Sequence, residues 1–199
     1  MNNVRHLETA AIGAVAIAIA AGSFAVLQPL AAAVSCALGW TMLAIAVSDA
    51  RRFIVPDVLS LPAIPLGLLA APLIGNEQTS SVTILMHLGA AAAGAAIFYA
   101  IRQIYFALRR HHGLGLGDVK LAAAAGAWTG FEGLSIVLLL ACVAAMTWTL
   151  ASQAVLRQRV DATAAVPFGA FLAPAIWLTW WFAAARFDLD IGSLGLMWL

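Results

Sequence analysis

The sequence predicts an all-α, polytopic transmembrane helical bundle of about seven spans, and three observations carry that expectation. First, 64% of the 199 residues are hydrophobic and only 10% are charged, against about 25% charged in ordinary soluble domains; the mean hydropathy is +0.98. Second, the apolar residues form uninterrupted runs close to the ~20 residues that a helix needs to cross the hydrocarbon core. Third, if the chain crosses seven times, all ten Lys and Arg residues except Arg186 fall on one side, as the positive-inside rule requires of a cytoplasmic face. The lipid bilayer is therefore an expected partner, and a net charge of +1 gives no reason to expect nucleic acid. The two cysteines, Cys36 and Cys142, each lie within an apolar run, which argues against a disulfide framework or a Cys-based zinc site.

After a short polar start with Arg5 and His6, residues 9–27 form the first run. It is long enough to span as a helix, and small residues near 20–23 also allow a cleaved signal peptide. Gln28-Pro29 makes a turn, and residues 30–48 return to the side bearing Asp49, Arg51 and Arg52. Pro56 suits a first helical position and Asp57 complements the positive helix end, so a third span starts there and reaches about residue 74, kinked at Pro62 and Pro65. Residues 75–81 read as a polar loop and 82–101 as the fourth run, in which His87 is a lone polar group facing other helices. Residues 102–112 mix basic and aromatic side chains, as a segment lying on an anionic membrane surface would. The adjacent His111 and His112 point apart on a helix, which favours a solvated loop over a metal site.

Residues 119–129 would extend only about 16 Å as a helix, short of a full span. Gly130 to Gly133 breaks this segment, 134–151 forms the next run, Arg157, Arg159 and Asp161 occupy a loop, and 166–185 is the last run. Charge placement decides that 119–131 crosses, since otherwise Arg157 and Arg159 would lie outside. No repeat or low-complexity linker divides the chain, so 1–199 is expected to be a single domain with a core over 30–185.

The chemistry-bearing pair is Asp49, at the end of one helix, and Asp118, at the start of another; the topology returns both to one face, where they can meet. Two aspartates a few Å apart in a partly dry site share a proton, so that one activates water while the other protonates the scissile carbonyl. Such a pair hydrolyses a peptide bond with no metal or cofactor. Gly113, Gly115 and Gly117, ahead of Asp118, are expected to supply positive φ and close approach to a substrate backbone. Each feature has a plainer reading: a flexible glycine loop, an Asp49 ion pair with Arg51 or Arg52, and a Lys120 that snorkels to water rather than tuning Asp118.

Asp49 followed by Val55-Pro56-Asp57 resembles the D-x-x-x-x-x-I-P-[DN] signature of type IV prepilin peptidases, and Gly115 to Leu121 is similar to their G-x-G-D-x-K-L signature. Residues 122–130 and Val166 to Leu172 continue the likeness, with Val55 for isoleucine and Ala170 for the second proline of P-F-G-P-F-L. The resemblance implies a GxGD-type intramembrane aspartic endopeptidase with Asp49 and Asp118 as catalytic pair. It also implies substrate-binding or loop-supporting roles for Gly115, Gly117, Lys120, Pro56 and Asp57. Longer members carry paired C-x-x-C motifs that bind zinc and accompany N-methylation; this sequence has none, so the short form, with cleavage and no methylation, is expected. The implied substrate is a prepilin, Flp-type prepilin or pseudopilin, cut between its basic leader and its apolar helix. The implied setting is a prokaryotic inner membrane, with the active site facing the cytoplasm. Alternatives are a proton-coupled transporter, whose acids would lie nearer the midplane within inverted repeats, and a non-catalytic subunit of a pilus or secretion assembly.

Overall fold

In the computed structural model of the protein, residues 2–70, 81–110, 114–156 and 166–196 are described, with side chains over 6–70, 81–110, 114–153 and 166–186. The described residues are all helix and connecting turns: α1 (Asn2–Val26), α2 (Pro29–Arg52), α3 (Asp57–Ala70), α4 (Ser81–Arg109), α5 (Leu116–Leu156) and α6 (Gly169–Leu196). Among them, four helices contain stretches long and apolar enough to cross a bilayer: His6–Val26, Pro29–Arg52, Ser81–Arg109 and Leu116–Gln153. The chain is a multi-pass helical membrane protein. The expected polar loop over 75–80, together with His111, His112, Gly113, Arg157, Arg159 and Asp161, lies outside the described residues.

Glycine breaks α5 where the sequence places a break. Gly130 has φ 65° and ψ −170°, outside helical space, in a conformation that L side chains rarely adopt. The second half of α5 runs back along α6: Ile136 and Leu140 share a cavity wall with Phe182 and Arg186, and Trp148 meets Phe171 near the start of α6. The described chain therefore has seven helical segments, α5 contributing two.

One expectation changes. Residues 102–109 do not form a separate surface segment; they extend α4 without a break, because Ile104, Phe106 and Leu108 sustain an apolar helix beyond Arg102. Pro62 and Pro65 both lie inside α3, which runs to Ala70.

Small residues set the helix spacing. A Cβ at Gly126 would overlap the Ala90 backbone, and one at Gly94 would come within 2.6 Å of the Ala122 carbonyl oxygen, so α4 and α5 cross at backbone contact. Close approach through Gly and Ala is the usual means of association where lipid removes the hydrophobic drive. Trp128 of α5 lies over Gly67 of α3 and donates its indole N–H to the Ala63 carbonyl at 2.7 Å. A polar chain ties α1, α2 and α6: the Ser23 and Ser35 hydroxyls are 2.8 Å apart, and Trp177 Nε1 donates to Ser35 Oγ at 3.1 Å. Trp40 donates to the Ala16 carbonyl and Arg51 pairs with Glu8, so α1 docks on α2 along its length. The outer surface is studded with exposed Leu, Ile, Val and Phe. That composition suits contact with hydrocarbon and would be a liability in water.

Candidate active site

Asp49 lies in the last turn of α2 and is 5% exposed. Its carbonyl accepts the Phe53 N–H at 2.8 Å, and Phe53 adopts the left-handed conformation (φ 54°) that ends the helix. Ser48 Oγ donates to the Ile54 carbonyl at 2.9 Å, which helps to fix the turn. Proline disfavours helical geometry at the residue before it, so Val55 stays outside both helices. The Pro56 carbonyl then accepts the Leu59 and Ser60 N–H groups to start α3.

The Asp49 side chain does not pair with the neighbouring arginines, since Arg51 is engaged by Glu8 at 3.0 Å. Asp49 Oδ2 instead accepts the Ala170 N–H at 2.9 Å, with Gly169 packed beside the same oxygen. Both residues belong to the first turn of α6, where a helix leaves N–H groups without partners further along it. Asp49 thus caps a helix 121 positions further along the chain. Gly169 is required for this fit: a Cβ there would lie 2.9 Å from Asp49 Oδ2 and 3.0 Å from Val55 Cγ2.

Asp118 lies in the first turn of α5. Its Oδ2 accepts the Gly115 N–H at 3.3 Å, as an acid at the third helical position reaches back to the capping residue. The Leu114 carbonyl accepts from Arg102 Nη1 at 3.4 Å, which ties the loop to α4. Asp118 lies within electrostatic reach of Asp49. Each carboxylate has one oxygen on a backbone N–H and its other oxygen without a protein hydrogen bond among the described residues.

The two motifs also touch through Val55. A Cβ at Gly117 would lie 2.6 Å from Val55 Cβ, so glycine is needed there for space. This corrects the expectation of positive φ: among the described glycines only Gly130 has it, and Gly115 and Gly117 do not. Gly115 is less constrained, because a Cβ would meet Asp118 Oδ2 at an ordinary 3.4 Å. Lys120 Nζ pairs with Asp57 Oδ1 at 2.6 Å, joining the starts of α3 and α5. Among the described residues no group of three or more His, Cys, Asp or Glu side chains could hold a metal ion. Sequence reasoning missed Gly169, Arg102 and the Asp57–Lys120 pair; the P-F-G likeness at Phe168 and Gly169 was the available signal for the first.

These features define a multi-pass membrane protein in which two aspartates from separate helices are held by backbone amides at one end of the bundle. The family model described as "Type IV leader peptidase family" matches residues 36–150, which include both aspartates. The chain belongs to the type IV leader peptidase family. It is 36% identical over 157 residues to a "Prepilin leader peptidase/N-methyltransferase" of Burkholderia pseudomallei (strain 1026b), covering 78% of this chain and 48% of that protein. Proteins of the same description match from Aeromonas salmonicida (strain A449), at 32% identity over 71% of this chain and 46% of the relative, and from Escherichia coli (strain K12), at 33% over 66% and 55%. The chain spans about half the length of the curated relatives it matches. No solved structure matches it.

Proposed function

We propose that the chain is a membrane-embedded aspartic endopeptidase that removes the basic leader from type IV prepilins, Flp-type prepilins or pseudopilins, with Asp49 and Asp118 as its catalytic pair. The observation that carries this reading is the placement of the two carboxylates, each anchored through one oxygen and within electrostatic reach of the other, in a chain of the leader peptidase family. The remaining oxygens can hold a water between them. One carboxylate takes a proton from the water as it attacks the scissile carbonyl, while the other, protonated, donates to the carbonyl oxygen; as the gem-diol collapses, the first carboxylate passes the proton taken from water to the leaving amine and a gem-diol hydroxyl returns a proton to the second. The backbone N–H anchors orient the carboxylates ahead of reaction, so little reorganisation remains at the transition state.

In this reading Gly117, Pro56 and the Asp57–Lys120 pair support the two loops, and Gly115 supplies the amide that holds Asp118. The protein acts as one domain of seven crossings in a prokaryotic inner membrane, with the aspartates at the cytoplasmic boundary, where charge placement puts the basic loops. A prepilin-like substrate presents its leader junction at that depth. The chemistry needs no metal or cofactor.

The test is an in-membrane cleavage assay on a prepilin with a basic leader, comparing wild type with Asp49→Asn and Asp118→Asn at matched expression. Cleavage by wild type alone supports the dyad. Undiminished cleavage by both variants would refute it.

A further inference from the structure

At the end of the bundle away from the aspartates, a cavity of about 630 Å³ opens between α4, the Gly130 turn and α6. Arg186 lies well along α6 from Gly169, roughly 25 Å at a helical rise of about 1.5 Å per residue. That approaches the ~30 Å thickness of the hydrocarbon core, so the mouth of the cavity lies near the opposite membrane boundary.

Three kinds of chemistry line it. Glu132 and Arg186 bring opposite charges to the cavity, both are exposed, and they form no ion pair with each other. Deeper, Thr179 (8% exposed) and Trp180 (0%) carry a buried hydroxyl and a buried indole N–H that have no hydrogen-bond partner among the described residues. The contrast with other helical threonines is informative: Thr41, Thr129 and Thr149 each donate back to the carbonyl four residues earlier, and Thr179 does not. On the open side Ile136, Leu140 and Phe182 are exposed and apolar. His87 adds an acceptor. Its Nδ1 lies 2.9 Å from the Ala127 carbonyl, which can only accept, so in the neutral ring Nε2 is left as acceptor beside Gly130.

We propose that this cavity binds a glycerophospholipid with a primary-amine headgroup. Its phosphate meets Arg186, and its ammonium meets Glu132 and His87 Nε2. An acyl chain lies along Ile136, Leu140 and Phe182. A lipid with a purely anionic headgroup would leave Glu132 opposed. A quaternary headgroup would offer no N–H to Glu132 or His87, and a small soluble zwitterion would leave the apolar wall uncovered. The proposal rests on the membrane setting and is independent of the peptidase chemistry.

For the test, the full chain in detergent is titrated with dioleoyl phosphatidylethanolamine, phosphatidylglycerol, phosphatidylcholine and water-soluble phosphoethanolamine. Native mass spectrometry and the unfolding temperature serve as readouts. The ethanolamine lipid should bind about tenfold more tightly than the other two, the discrimination of roughly one well-placed polar partner. Glu132→Gln should abolish the preference over phosphatidylglycerol, and Arg186→Gln should weaken all three lipids. Glu132 and Arg186 are exposed, so these variants retain the fold, and circular dichroism checks this. Equal binding of the three lipids by wild type, or an unchanged preference in Glu132→Gln, would overturn the proposal. So would saturation by phosphoethanolamine that no lipid displaces.

Discussion

The two aspartate-bearing helix ends are built in opposite ways. Asp118 is held locally, by an amide three residues before it at the start of its own helix, and is only partly buried. Asp49 is held from a distance, by the first turn of α6, and is buried at the end of its helix. One carboxylate can therefore be placed as soon as α5 forms. The other has no fixed orientation until α2 and α6 pack, so the site as a pair exists only in the assembled bundle.

The largest expected effects fall on both ends equally. Asp49→Asn and Asp118→Asn should each lower the cleavage rate by about 10²–10⁴-fold, the span that a positioned proton-transfer group contributes. Rates should also fall on both sides of a pH optimum, because only the singly protonated pair works and the titration belongs to the pair. A monotonic pH profile would count against shared-proton chemistry.

Glycine substitutions should separate the two ends. Gly169→Ala pushes a methyl group against Asp49 Oδ2 and Val55; displacement by about 1 Å can cost ~10²-fold in rate. Gly115→Ala has ordinary van der Waals space and should cost only a few-fold. Measured side by side at equal expression, equal losses would erase the distinction between the distant and the local anchor.

The Asp57–Lys120 pair joins the two motifs across largely exposed surface. Asp57→Asn and Lys120→Met should reduce activity modestly, and a double-mutant cycle on stability should give a coupling of about 0–1 kcal/mol. The smallest effect on catalysis is expected far from both ends. Ser35→Ala removes hydrogen bonds from the α1–α2–α6 tie and should lower stability by about 1 kcal/mol with cleavage nearly unchanged.

How much of this was legible in the sequence follows the same local and distant division. Run length and charge placement are properties of neighbouring residues, and they led to an all-helical membrane protein, to a break at Gly130, and to Asp118 at a helix start. The Ala170 amide on Asp49 was not legible, because no pattern within a single helix reveals which other helix end packs beside it. The same applies to Gly117, whose role is to admit Val55 rather than to bend the chain. The left-handed Phe53 was hidden for another reason: the residue carries no glycine or asparagine signal, and the turn is held by Ser48 and the α2 carbonyls. The continuation of α4 past Arg102 to Arg109 shows that a basic residue near a membrane boundary does not by itself end a helix.

The reversal at Gly130 bears on how the chain enters the bilayer. The first half of α5 is too short to be retained as a stop on its own, and a one-residue turn leaves no loop to hold on the far side while the second half follows. The two halves must partition together as a preformed helical hairpin. A side chain at position 130 would be forced into left-handed space against His87. Such a change would be felt first during biogenesis, as chain that fails to integrate and is degraded, before any mature molecule could be assayed.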